Sequence, residues 1–180
     1  MKKTSYKVSI GGVIGALSLV MMLLTSLVPF GTFAFPTFAG ILLICIVVEI
    51  GYGWSFLVYT VVSALSLLML VDKEAALYYT MFLGFYPILK GLVEKLRSRV
   101  IQYIIKSVIF NICIVSAFFV SVYLFSIPKE SFNLFGIYLP WVFLILGNLV
   151  FIPYDYCVSV MVMFYMQKFH PILSKFKKFE

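Results

Sequence analysis

Acidic residues, histidine and paired cysteines are scarce in this sequence, and each scarcity removes a class of protein. Only seven Asp and Glu and one histidine, His170, stand among 180 residues. The three cysteines, Cys45, Cys113 and Cys157, all lie inside apolar segments, and no C-x-x-C pair occurs. Structural zinc, haem and disulfide frameworks need such clusters, so the expectation is no metal and no cofactor. A G-x-x-x-x-G-K-[ST] loop is missing too, so any ATP hydrolysis linked to this chain has to come from another protein. No polar stretch is long enough to hold a soluble unit, and the whole of 1–180 reads as one domain.

What the chain has instead is apolar surface. Its residues are 63% hydrophobic and 12% charged, with a mean hydropathy of +1.10, which marks an integral membrane protein in contact with a lipid bilayer. The net charge of +7 would suit nucleic acid, but Lys and Arg gather at the ends of the hydrophobic runs, where membrane topology accounts for them. No nucleic-acid partner is expected. Lys2, Lys3 and Lys7 precede an apolar run in the manner of a signal peptide, yet Val8–Val28 has bilayer length rather than the shorter core of a signal sequence.

Six hydrophobic segments follow one another: Val8–Val28, Phe35–Ile50, Trp54–Val71, Ala75–Leu92, Tyr103–Ser126 and Leu139–Met166. The fold class they predict is all-α, a bundle of six transmembrane helices. With the N-terminus in the cytoplasm, that side collects Lys2, Lys3, Lys7, Lys90, Lys95, Arg97, Arg99, Lys106, Lys168, Lys175, Lys177 and Lys178, which is 12 of the 14 basic residues, leaving Lys73 and Lys129 outside. Both termini are therefore expected in the cytoplasm.

The first segment carries Gly11-x-x-x-Gly15 and Gly12-x-x-x-Ala16, small-residue patterns that let a second helix approach closely. Either another helix of this chain or a separate membrane subunit could use them. The stretch VPFGTFAFPTFAG, 28–40, has four Phe and no charge, which predicts an external segment lying in the membrane interface or roofing a pocket from Phe30 to Phe38. Phe33 and Phe35 are its candidate ligand contacts. Glu49 falls near the inner boundary and reads as solvated. Tyr78 and Tyr79 open the fourth segment near the outer surface, where tyrosines serve an aromatic belt or a ligand. The run Lys90–Lys106 spaces Leu92, Val93, Leu96, Val100 and Tyr103 helically among basic residues, which predicts a helix along the inner membrane face or a contact with a cytoplasmic partner.

The sixth segment organises the rest. Trp141, Asn148, Asp155 and Ser159 fall on one helical stripe within an otherwise apolar run, and such a stripe cannot face lipid. A carboxylate inside the bilayer costs about 3 kcal/mol or more, so Asp155 requires a partner. It lies about 24 Å along the helix from Leu139, in the inner half of the bilayer, where Lys90 and Lys106 are the candidate partners in a structural or coupling role. Asn148 and Asp155 either bond neighbouring helices or serve ligand and coupling directly. Tyr79, Asn133 and Asn148, with Trp141 beside them, are the candidate polar contacts of a pocket near the outer face.

In size, six segments, inward termini, basic cytoplasmic ends and a small-faced first helix, the chain resembles the substrate-binding S components of energy-coupling factor (ECF) transporters. The run from Pro36 into the Gly51-Tyr52-Gly53 turn and the terminal GNLVFIPYDYCVSVMVMFYMQKFHPIL add to the likeness. It implies a prokaryotic cell-membrane protein that captures a vitamin or other micronutrient near the outer surface among helices 4 to 6. It also implies a transmembrane coupling subunit and two cytoplasmic ATPases as partners. The family docks through an Ala-x-x-x-Ala pattern on helix 1, in whose place this chain has Gly12-x-x-x-Ala16, with Gly11 and Gly15 alongside. A structural membrane protein that binds no small molecule is the main alternative. A membrane-embedded enzyme is the lesser one, because Asp155 is the one acid well inside a span and no catalytic constellation surrounds it in the sequence.

Overall fold

The computed structural model of the chain describes residues 2–28, 31–123, 133–134, 137–138 and 140–171. The described residues form seven α-helices: α1 (Lys2–Leu24), α2 (Ala34–Glu49), α3 (Tyr52–Met69), α4 (Lys73–Tyr78), α5 (Tyr86–Val93), α6 (Arg99–Tyr123) and α7 (Pro140–Phe164). A π-helical turn, Tyr79–Leu83, joins α4 to α5, and a second, Tyr165–Phe169, extends α7. Between α6 and α7 the segment expected as a plain loop contains a short antiparallel pairing of β1 (Asn133–Leu134) with β2 (Ile137–Tyr138), Asn133 opposite Tyr138. Lys129 and the basic residues Lys175, Lys177 and Lys178 lie outside the described residues.

Among the described residues five helical stretches are long and apolar enough to cross a membrane: Thr4–Leu24, Tyr52–Met69, Lys73–Val93, Arg99–Ser121 and Leu144–Phe169. The exterior suits that setting, since Leu68, Val100 and Ile152 are 79%, 68% and 67% exposed, a cost in water and none in lipid. The helix α2 is the exception. Its 16 residues rise about 24 Å, short of a hydrocarbon core of about 30 Å. It can be short because it is central: Pro36, Ala39, Gly40, Leu43, Ile44, Ile46 and Glu49 are all buried.

Small and hydroxylated residues seat α2 there. Ser18 on α1 donates to the Ala39 carbonyl at 3.2 Å, and Ser55 on α3 donates to the Leu43 carbonyl at 3.2 Å. Such bonds hold helices where lipid supplies no hydrophobic drive between them. A methyl group at Gly40 would meet the Leu83 carbonyl oxygen at 2.1 Å, so only glycine lets α2 lie against the π-helical turn. That turn is itself stitched in. The Gly84 amide bonds to Tyr79 O at 2.8 Å instead of to the Thr80 carbonyl that an α-helical register would give it, and the Thr80 carbonyl accepts the Tyr59 hydroxyl.

Two expectations are corrected here. The run after Leu92 is not one surface helix: α5 stops at Val93, the chain turns, and α6 starts at Arg99. Charge pairing closes this hairpin, because Glu94 in the turn meets Lys90 at 3.2 Å and Lys106 at 2.8 Å, and Gln102 donates to the Leu96 carbonyl at 2.7 Å. Glu49 is not solvated either. The turn extending α7 folds over the end of α2, so Glu49 is 8% exposed, accepts from the Tyr165 hydroxyl at 3.2 Å and lies 2.8 Å from His170 Nδ1.

Candidate functional site

A cavity of about 710 Å³ opens between α4 with its π-helical turn, α6, α7 and the start of α2. It occupies the end of the bundle at which α2, α4 and α7 begin, opposite the N-terminus. The π-helical turn shapes one wall, because inserting a residue into the helical register swings Met81, Phe82 and Leu83 onto the cavity side. Its floor is aromatic. The Phe110 and Phe151 rings stack at 4.6 Å, and Phe82 meets both edge-on at 5.1 and 5.9 Å and Tyr154 at 5.9 Å. At the mouth, Phe33 stacks on Tyr78 at 4.9 Å. Among the described residues no charged side chain lines the cavity, and Thr37, Tyr78, Cys113, Ser121 and Tyr154 are the polar ones.

Beneath that floor lies a cluster of four charges. Asp155 on α7, 7% exposed, faces Lys90 of α5, 1% exposed, and Lys106 of α6, 3% exposed. Lys90 donates to the Asp155 carboxylate and, at 2.8 Å, to its backbone carbonyl. Lys106 donates to both carboxylate oxygens at 3.2 and 3.3 Å and to Glu94 at 2.8 Å. The Tyr86 hydroxyl supplies a further bond to Asp155. Two lysines and two acids cancel, and they tie α5, α6 and α7 together at one depth.

On the cavity side of this cluster, about two turns along α7 from Asp155, Asn111 and Asn148 form a reciprocal amide pair across α6 and α7. Asn111 Nδ2 lies 3.0 Å from Asn148 Oδ1, and Asn148 Nδ2 lies 2.8 Å from Asn111 Oδ1. Each amide spends its second N–H on its own helix, at the Ser107 and Leu144 carbonyls, both at 2.8 Å. The pair is closed, and Asn148 is not part of the cavity lining.

Of the ligand contacts expected from sequence, then, Phe33 and Tyr78 line the cavity together. Phe35 stands apart from it, beside Gly31. Tyr79, fully buried, points the other way into the core formed with Met22, Leu43 and Val62, on the side of α1 to α3. The side chains of Asn133 and Trp141, and Phe30 of the expected roof, lie outside the described residues. The aromatic floor of Phe82, Phe110, Phe151 and Tyr154 was missed. Its only sequence signal is aromatic spacing along helices, which lipid-facing rings share. Tyr86 and Glu94 were missed as well, although Tyr86 and Lys90 are four apart and so share a helix face.

The small-residue patterns of α1 divide. A methyl group at Gly11 would meet Val58 at 3.4 Å, and one at Gly15 would meet Val58 at 3.1 Å, so this pair packs against α3 within the chain. Gly12 and Ala16 are exposed, with nothing within 4 Å of a methyl group built at Gly12. The two overlapping patterns thus lie on different faces of one helix, one packed against α3 and the other exposed. Comparison with known protein families, characterised proteins and solved structures finds no match to this chain.

Proposed function

We propose that the chain is the substrate-specificity (S) subunit of an ECF-type importer in a prokaryotic cell membrane. In this reading both termini are cytoplasmic, the cavity end faces outward, and a micronutrient captured there is delivered with a transmembrane coupling subunit and two cytoplasmic ATPases. The observation that carries it is the cavity of about 710 Å³, within the range of sites that take drug-sized ligands, closed below by a charge-balanced cluster. The division of 12 basic residues to one side and two to the other supports the orientation. The exposed Gly12 and Ala16 supply a flat strip on which the coupling subunit can seat, and Asp155 with Lys90 and Lys106 couples the cavity floor to the cytoplasmic end of α5, α6 and α7.

A purely structural membrane protein would use the Gly12 and Ala16 strip equally well but has no need of the cavity. Purification from native membranes separates the two readings. The importer reading expects an ATPase pair and a coupling subunit to co-purify, and native mass spectrometry to show one small molecule on the isolated chain. It also expects Gly12→Trp with Ala16→Trp to release the partners without loss of the small molecule. A chain that never associates with ATPases would overturn it, and a complex that survives the double substitution would move the docking surface elsewhere.

A further inference from the structure

We infer that the molecule held in the cavity is uncharged, largely apolar and ring-bearing, and that its one deep polar contact is the Tyr154 hydroxyl. The inference rests on the capture role proposed above and specifies the class of substrate captured. It follows from what the walls offer and from what lies behind them.

The walls offer rings. Phe82, Phe110, Phe151 and Tyr154 surround the inner end, and Phe33 with Tyr78 the mouth. A flat ligand can stack on such faces or meet their edges, as the rings already do with one another. Among the described residues no acid or base lines the space. The charged cluster below the floor is already paired, Asp155 with Lys90, Lys106 and Tyr86, and Glu94 completes the balance. A ligand bearing a carboxylate, phosphate or ammonium would therefore lose its hydration against these walls and gain no counter-charge from them, a costly exchange.

Polar groups are few, and their state is informative. Thr37 donates its hydroxyl to the Phe33 carbonyl at 2.8 Å and has no proton left to give a ligand. The Tyr154 hydroxyl is buried and has no hydrogen-bond partner among the described residues, although Tyr154 lines the cavity. Buried hydroxyls are normally bonded, and an unbonded one marks the place where a ligand can supply the missing partner. The ring-lined shape and the unbonded Tyr154 hydroxyl point to the same ligand class.

The test uses the full-length chain in lipid nanodiscs, with empty nanodiscs as blank, and two probes that share a skeleton: neutral phenylnaphthylamine and its sulfonated counterpart, anilinonaphthalene sulfonate. Saturable fluorescence binding of the neutral amine is expected, with the sulfonate weaker by at least about tenfold. Tyr154→Phe should weaken the amine by about tenfold, the worth of one buried hydrogen bond, and leave the hydrocarbon phenylnaphthalene unchanged. Gly147→Leu, which extends a side chain from the cavity wall, should abolish binding of all three. Val150→Trp on the same wall serves if that variant fails to fold. A sulfonate that binds as tightly as the amine, binding that survives the filled cavity, or no saturable binding of the amine overturns the inference. Each of these results leaves association with the ATPases intact if the importer reading holds, so the two failures are distinguishable.

Discussion

Replacing Asp155 by asparagine removes one charge from a cluster whose other members stay buried. Before the change, two lysines at 1% and 3% exposure face two carboxylates; afterwards they share Glu94 alone, whose side chain is 43% exposed. The amide can still accept the Tyr86 hydroxyl, so the loss is chiefly electrostatic. Removing one partner of a buried pair costs about 3–5 kcal/mol because the remaining charge is left uncompensated. At roughly 2–4 °C per kcal/mol for a chain of this size, the melting temperature should fall by about 6–20 °C. The identity of the stranded lysine sharpens the expectation. Glu94 lies 2.8 Å from Lys106 and 3.2 Å from Lys90, so without Asp155 it serves Lys106, and Lys90 is left in the apolar interior. Lys90→Met added to Asp155→Asn should therefore recover more of the lost stability than Lys106→Met does. Thermal unfolding of the unaltered chain and the three variants in one detergent, followed by tryptophan fluorescence, makes the comparison. An unchanged melting temperature in Asp155→Asn, or better rescue by Lys106→Met, would refute the reasoning.

Other substitutions report on separate parts of the bundle. Asn148→Leu strands the Asn111 amide inside the membrane and should cost about 1–3 kcal/mol in thermal unfolding; adding Asn111→Leu should return much of it, because the double change leaves no unpaired group. Gly15→Leu forces a side chain into Val58, which a methyl group would already meet at 3.1 Å, and should lower the melting temperature of the isolated chain, whereas Gly12→Leu should leave it unchanged. Gly40→Ala drives a methyl into the Leu83 carbonyl and should push α2 off the π-helical turn, seen as lower yield of monodisperse protein and loss of probe binding in the cavity.

Much of the fold was legible because a bilayer leaves few choices. Backbone groups in hydrocarbon must bond within their own segment, so long apolar runs become helices wherever they occur. Five of the six segments do so at spanning length; the sixth, α2, differs because burial among neighbours, not bilayer thickness, sets its limits. The need of Asp155 for a cationic partner was legible for the same reason, since no isolated carboxylate is stable at that depth. The sequence could not say that both lysines and Tyr86 converge on it, because that depends on a turn at 94–98 bringing α5 and α6 side by side.

The cavity was hidden for a deeper reason. In a soluble protein the polar exterior distinguishes an inward face from an outward one, but here lipid is as apolar as the interior, and a ring that lines a pocket reads like a ring that faces lipid. Phe82 and Phe110 line the cavity while Phe56 is 56% exposed on α3, and nothing in the spacing separates them. The glycines of α1 make the same point: adjacent residues lie about 100° apart on a helix, so Gly11 and Gly12 necessarily look in different directions. Which of them meets α3 was decided only when Val58 came to rest against Gly11 and Gly15.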